Sequence, residues 1–196
     1  MKHSILIAAV AGVLTAWPAM AQTPPPASPA QHEHDKAATT EGTAAGDMAF
    51  AKEAAIGGLA EVDLGNLAKD KASNPDVKQF GERMVTDHSK INDELKQWAQ
   101  KKNVTLPSDL DTKHKALHER LSKLEGAAFD KAYMDEMVTD HQKDVAAFKK
   151  HPMKDEDLKA FVARNLPTIE EHLKQAKEIQ AKLKATTEKP TSTPKH

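Results

Sequence analysis

Glu61, His88, His141 and His172 each stand inside a run of apolar residues that recurs at helical spacing. A buried polar group costs about 2–7 kcal/mol unless it is hydrogen-bonded, paired or bound to metal. Four such groups on four separate stripes point to one shared site if the stripes converge. Three imidazoles and a carboxylate suit zinc, iron or divalent copper. Met84 and Met137 stand four residues before a histidine on the same helical face, as thioether ligands for copper or as core filler. Asp87 and Asp140 directly precede two of the histidines, about 100° around the helix. From there they either orient a neighbouring imidazole through its second nitrogen or face solvent. Set against metal binding is a second reading: a buried Glu–His hydrogen-bond network that fixes helix register and binds nothing.

Other chemistries find little support. A di-iron cage needs a glutamate three residues before each of two histidines. Val85, Val138 and Ile169 hold the corresponding positions, so the ferroxidase or oxygenase signature is absent. The chain has no Gly-rich phosphate loop, no nucleophile elbow and no cysteine. A non-catalytic role is therefore expected. His114 and His118, four apart on a short helix, read as surface residues, and His32 and His34 as linker residues with weak metal affinity at most.

The elements that must position the four residues are helices. One stripe runs Phe50, Ala54, Gly57, Glu61, Leu64 and Ala68, with Asp47 as its expected cap. Small residues around Glu61, namely Gly57, Gly58 and Ala60, predict a close helix approach there, so that Gly57→Leu should overpack it. Asn74 before Pro75 opens a second helix after a tight turn. Its stripe is Val77, Phe80, Met84, His88, Ile91, Leu95 and Trp98, and the Asn103–Pro107 loop ends it. Ser108 and Asp111 resemble a capping box for a short helix that Gly126 interrupts. A third long stripe, Phe129, Tyr133, Met137, His141, Val145 and Phe148, stops at His151-Pro152. The fourth runs from Leu158 through Val162, Asn165, Ile169, His172 or Leu173, Ala176 and Ile179 to Leu183, with Pro167 expected to kink it. No strand pattern appears. Two antiparallel hairpins joined by a long connection predict an all-α protein: a ferritin-like four-helix bundle with a short crossover helix between helices 2 and 3.

Convergence can be tested by height. Glu61 and His88 lie twelve to fourteen residues from their turn, roughly 20 Å at the helical rise. For His141 and His172 the same count leaves their backbones about 10 Å apart. Side chains lean toward a helix's N-terminus, which narrows that gap.

The chain ends fix the expected compartment. Lys2 and His3, the apolar run from Ile5 to Leu14 and Ala19-Met20-Ala21 read as a signal peptide over residues 1–21, cleaved after Ala21. Residues 22–46, rich in Pro, Ala, Thr and Gln, read as a flexible tether, and residues 185–196 as a tail. The helical domain spans residues 47–184. No later segment offers the roughly 20 apolar residues of a transmembrane helix. With 28 basic and 29 acidic residues the chain is nearly neutral, so nucleic acid is not an expected partner. An exported, periplasmic or secreted protein follows, with an envelope protein as partner under the scaffold reading. Oligomeric state is not specified by the sequence.

Met84-Val85-Thr86-Asp87-His88, repeated as Met137-Val138-Thr139-Asp140-His141, joins Gly58-Leu59-Ala60-Glu61 and Leu166-Pro167 with His172. Together these resemble the bacterial family known as domain of unknown function 4142, over Met48 to about Leu183. The resemblance implies a ferritin-like fold and export to the periplasm or outer membrane, and no established activity. The combined expectation is an envelope protein that binds a divalent metal at the His/Glu cluster and serves metal handling or stress tolerance. The alternative is a structural or interaction protein whose cluster is a hydrogen-bond network.

Overall fold

A computed structural model describes residues 32–188 of the chain, with side chains from 45 to 186. The expected signal peptide, the first part of the tether and the end of the tail lie outside the described residues, as do the side chains of His32 and His34. Five helices follow in order: α1 (His32–Lys71), α2 (Pro75–Lys102), α3 (Thr112–Ser122), α4 (Gly126–Lys150) and α5 (Glu156–Glu188). Among the described residues there is no strand, and no helix is long and apolar enough to cross a membrane.

Local chemistry sets most boundaries. Asn74 caps α2, its side chain accepting from the N–H groups of Asp76 (2.8 Å) and Val77 (3.4 Å), with Pro75 at the first helical position. Asp130 of α4 accepts from the backbone N–H groups of Ser73 and Asn74 and from the Ser73 hydroxyl, which ties the α1–α2 turn to α4. Asn103 closes α2 in the left-handed conformation, φ 55°. His151, held extended before Pro152, ends α4 as the sequence predicts. α5 continues through Pro167.

Three local expectations are corrected. Asp47 is not a helix cap: α1 begins fifteen residues earlier, at His32. The Asp47 side chain instead accepts from Lys154 N (3.0 Å), Asp155 N (2.7 Å) and His151 Nε2 (3.0 Å), fastening α1 to the start of α5. Ala, Thr and Glu make up nine of the fifteen residues 32–46, and all tolerate a helix once an existing one can propagate into them. For α3 the cap is Asp111, which accepts from His114 N at 2.8 Å, rather than Ser108. Gly57 does not sit in a close helix contact, since a Cβ placed there meets nothing within 4 Å. Its neighbour Gly58 does, since a Cβ there would lie 2.0 Å from Asn92 Oδ1, and the α1–α2 seam is also close further along, where a Cβ on Gly65 would lie 2.8 Å from the Gly81 carbonyl and one on Gly81 2.8 Å from Ala68 Cβ.

α1 packs mainly on α2 and α4 on α5, with α2 also against α5 and α1 against α4, while α3 lies over α1 and α4. The interior forms two apolar clusters. One gathers Leu64, Phe80, Met84, Phe129, Tyr133, Met137 and Ile179, and the other Phe50, Ile91, Trp98, Phe148, Phe161 and Ile169. On every long helix the chain passes from one cluster to the other through a single buried polar residue: Glu61, His88, His141 or His172.

Candidate functional site

The polar layer between the clusters is fully enclosed. His141 and His172 are 0% exposed, and His88 and Glu61 3%. The three imidazoles form a near-equilateral triangle, with ring centroids 5.6 Å (His88–His141), 5.3 Å (His88–His172) and 5.4 Å (His141–His172) apart. One ring nitrogen from each lies within 4.8 Å of the other two. The edge of Phe80 packs beneath His141 and His172. The 10 Å height offset between His141 and His172 is therefore closed. Five residues, His151 to Asp155, separate α4 from α5 and allow α5 to start at a different height from the end of α4, and side-chain lean acts in the same direction.

Hydrogen bonds fix two of the tautomers. His141 Nδ1 lies 2.9 Å from the Met137 carbonyl, which can only accept, so Nδ1 carries the proton and Nε2 a lone pair. His172 Nε2 donates to Asp87 Oδ2 at 3.0 Å, leaving the lone pair on Nδ1. His141 Nε2, His172 Nδ1 and His88 Nε2 are all buried without a partner. Each histidine thus offers one unpaired nitrogen to the interior. Burial drives the imidazoles toward the neutral form. Desolvation, followed by the neighbouring histidines, holds His88 well below its ordinary range, and desolvation pushes His141 down to about 4. His172 is also lowered by burial, against the pull of its bond to Asp87. Neutral imidazole is the form that coordinates metal.

Glu61 stands beside the triangle rather than within it. Its Oε1 is 3.6 Å from His141 Nδ1, the nitrogen committed to Met137, and its Oε2 has no partner. Burial, then the charges of Asp144, Asp140 and Glu136, push its carboxyl well above the usual range. Asp87 takes the orienting role that its position predicts. Partial burial acts to raise its pKa, but hydrogen bonds from His172 and Arg83 outweigh this and lower it. Arg83 in turn donates to Gln175 at 2.7 Å. Asp140 instead pairs with Lys143 at 2.9 Å. Met84 and Met137 lie fully buried in the cluster with Phe80 and Tyr133, and the recorded bond of Met137 to a histidine is through its carbonyl. His114 bonds to Asp111, and His118 pairs with Asp63 at 2.6 Å, which docks α3 on α1.

Two features escaped the sequence reading. Arg83, one turn before Asp87, completes the chain Gln175–Arg83–Asp87–His172, and the i,i+4 spacing with Asp87 could have marked it. Asp144, three residues after His141 and one turn after Asp140, is half-buried, and desolvation together with the Asp140 charge raises it to about 7. Two acids flanking a stripe histidine were the available signal.

The sequence model for the domain of unknown function DUF4142 matches residues 32–179. The chain belongs to that family. Among curated proteins none matches. A solved structure with the same fold is the crystal structure of a DUF305 fragment from Deinococcus radiodurans, with a TM-score of 0.63 at 10% sequence identity. The alignment covers 70% of this chain and 96% of the fragment. At that identity the likeness extends to the fold alone.

Proposed function

We propose that His88, His141 and His172 hold a divalent transition-metal ion in the centre of a ferritin-like four-helix bundle, and that this DUF4142 member is an exported protein of metal handling or stress tolerance. The observation that carries the reading is the set of three unpartnered ring nitrogens on three different helices. An ion that binds imidazole nitrogen at about 2.0–2.1 Å holds the ring centroids about 5.2 Å apart at tetrahedral angles and about 5.5 Å apart in a trigonal plane. Two of the separations, 5.3 and 5.4 Å, fall between those values, and the third, 5.6 Å for His88–His141, lies just beyond the trigonal one. Fixing the second nitrogens of His141 and His172 to a carbonyl and a carboxylate is how ligating histidines are oriented. Zinc, iron and divalent copper all accept such donors. A hydrogen-bond network that only sets register is less well supported, because it would satisfy these nitrogens and Glu61 Oε2.

The test is thermal unfolding of the tag-free mature protein with Zn²⁺, Cu²⁺ or Fe²⁺, beside His88→Leu. A ligand that binds only the folded state adds about 2.7 kcal/mol at a hundredfold excess over Kd. Wild type is expected to gain Tm and His88→Leu to gain none. In the metal-free state His88→Leu is expected to be as stable as wild type or more so, since it removes a buried unsatisfied atom. Destabilisation by His88→Leu together with an equal metal response would establish the network instead. Export is tested by the N-terminus of the protein recovered from the periplasm, expected at Gln22.

A further inference from the structure

We propose that the cleft between α1, the start of α3 and α4, which ends at Glu61, is the route by which a divalent cation reaches the three histidines, with Glu61 passing it inward beside His141. This rests on the metal-centre reading above and adds how the centre is filled. The cleft has a volume of about 320 Å³ and is lined in part by Gly57, Glu61, Asp140 and Asp144.

Glu61 makes the connection. It lines the cleft although it is 3% exposed, its Oε2 has no partner, and its Oε1 lies 3.6 Å from His141. One carboxylate therefore borders the cleft and a histidine of the triangle together. Asp140 and Asp144, four apart on α4, stand on the same helical face. The lining also carries Glu53 and Asp111 against Lys113 and Lys143, the latter paired with Asp140, so acidic side chains outnumber basic ones on the cleft wall.

On the opposite side of the layer the carboxylate is already engaged. There an open hollow, lined also by Glu82, leads to His172 through Asp87, but Asp87 is held by His172 and by the Arg83 guanidinium 3.3 Å away, which Gln175 fixes in place. Glu61, with an unpartnered oxygen, is the carboxyl left to receive an ion.

Gly57 allows the route to be blocked without breaking the fold, because it lines the cleft and a Cβ there meets nothing within 4 Å. The experiment follows Co²⁺ uptake by the metal-free mature protein, read by the visible absorption of nitrogen-bound Co²⁺, and its release to a chelator. Gly57→Leu is expected to slow uptake and release alike, leaving Kd within about twofold. Glu61→Gln is expected to slow uptake by about tenfold or more, since an amide oxygen is a weaker ligand for a divalent cation than a carboxylate. Thr86→Leu, on the exposed Asp87 side, is expected to leave both rates unchanged. If wild type binds Co²⁺ and Gly57→Leu loads at the wild-type rate, the route is overturned and the metal centre stands. Slowing at Thr86 instead moves access to the Asp87 side and overturns it too. If wild type and His88→Leu are equally silent toward Co²⁺, the centre and the route fall together.

Discussion

Acid should act on the metal-free protein through two opposed sets of buried groups, and single substitutions can separate them. His88, His141 and His172 are held below their ordinary 6.5 in the folded state. Their contribution to stability is therefore present above about pH 6.5 and is lost as pH falls toward the folded value, about 4 for His141. For His141 alone that loss amounts to about 3 kcal/mol across the window. Glu61 and Asp144 are raised, so their contribution is present at low pH and is lost as pH rises, through about 7 for Asp144. Between about pH 4.5 and 6.5 the unfolded chain holds up to three imidazole protons that the folded chain lacks. The folded chain holds two carboxyl protons that the unfolded chain lacks. The imidazoles therefore make stability fall on acidification and the two carboxyls oppose that fall. His141→Gln should remove about 3 kcal/mol of the loss between pH 6.5 and about 4, and Glu61→Gln should steepen the slope. The assay is urea unfolding followed by circular dichroism at pH 7, 6, 5 and 4.5 with chelator present. Parallel profiles for wild type and His141→Gln would show that His141 titrates alike in both states, refuting the enclosed neutral cluster.

Metal affinity should stay level from pH 7 to about pH 5, because burial has already removed the imidazole protons, whereas imidazoles at their ordinary value would lose affinity below about pH 6. Titration calorimetry with Zn²⁺ at pH 7, 6 and 5 decides between the two, and a steep loss between pH 6 and 5 would contradict the burial argument. At the α1–α2 seam, Gly81→Ala should destabilise by about 1–3 kcal/mol through overpacking against Ala68 and the Gly65 carbonyl. Gly57→Ala, placed in open space on a helix, should stabilise by about 0.5–1 kcal/mol. Denaturant midpoints check both, and equal shifts of one sign would mean the seam is misplaced.

The helices and the convergence of His88, His141 and His172 were legible because each depended on a repeated signal: an apolar stripe, one polar intruder, and a proline or asparagine at a boundary. α1 was harder to read. Alanine and glycine lie all round it, so periodicity could not separate Gly57, which faces the cleft, from its neighbour Gly58, whose Cβ would strike Asn92 Oδ1 at 2.0 Å. The same ambiguity set Glu61 among the ligands, when its carboxylate lies on the Nδ1 side of His141. Asp47 misled for a different reason. An aspartate before an apolar run has a cap's composition, but this one serves the N-terminus of α5 more than a hundred residues away, which local sequence cannot reveal.

The placement of the polar layer bears on what it is for. Register between helices can be fixed by one buried polar pair, and a satisfied pair does so without leaving atoms unpaired. Here three ring nitrogens and a carboxylate oxygen are left unpaired between two apolar clusters. Each such atom costs about 1–3 kcal/mol, against about 5–15 kcal/mol for the whole stability of a domain. A layer that only held the helices in register would be more stable with apolar residues of the same volume. The arrangement becomes favourable once something binds to the lone pairs. Their count, their neutral state and the anchoring of His141 and His172 from behind suit a cation that accepts three nitrogens at once. Glu61 then has a use that neither a ligand nor a register residue explains: it offers an unpartnered carboxyl oxygen between the outer cleft and the triangle, on the route proposed for an arriving cation.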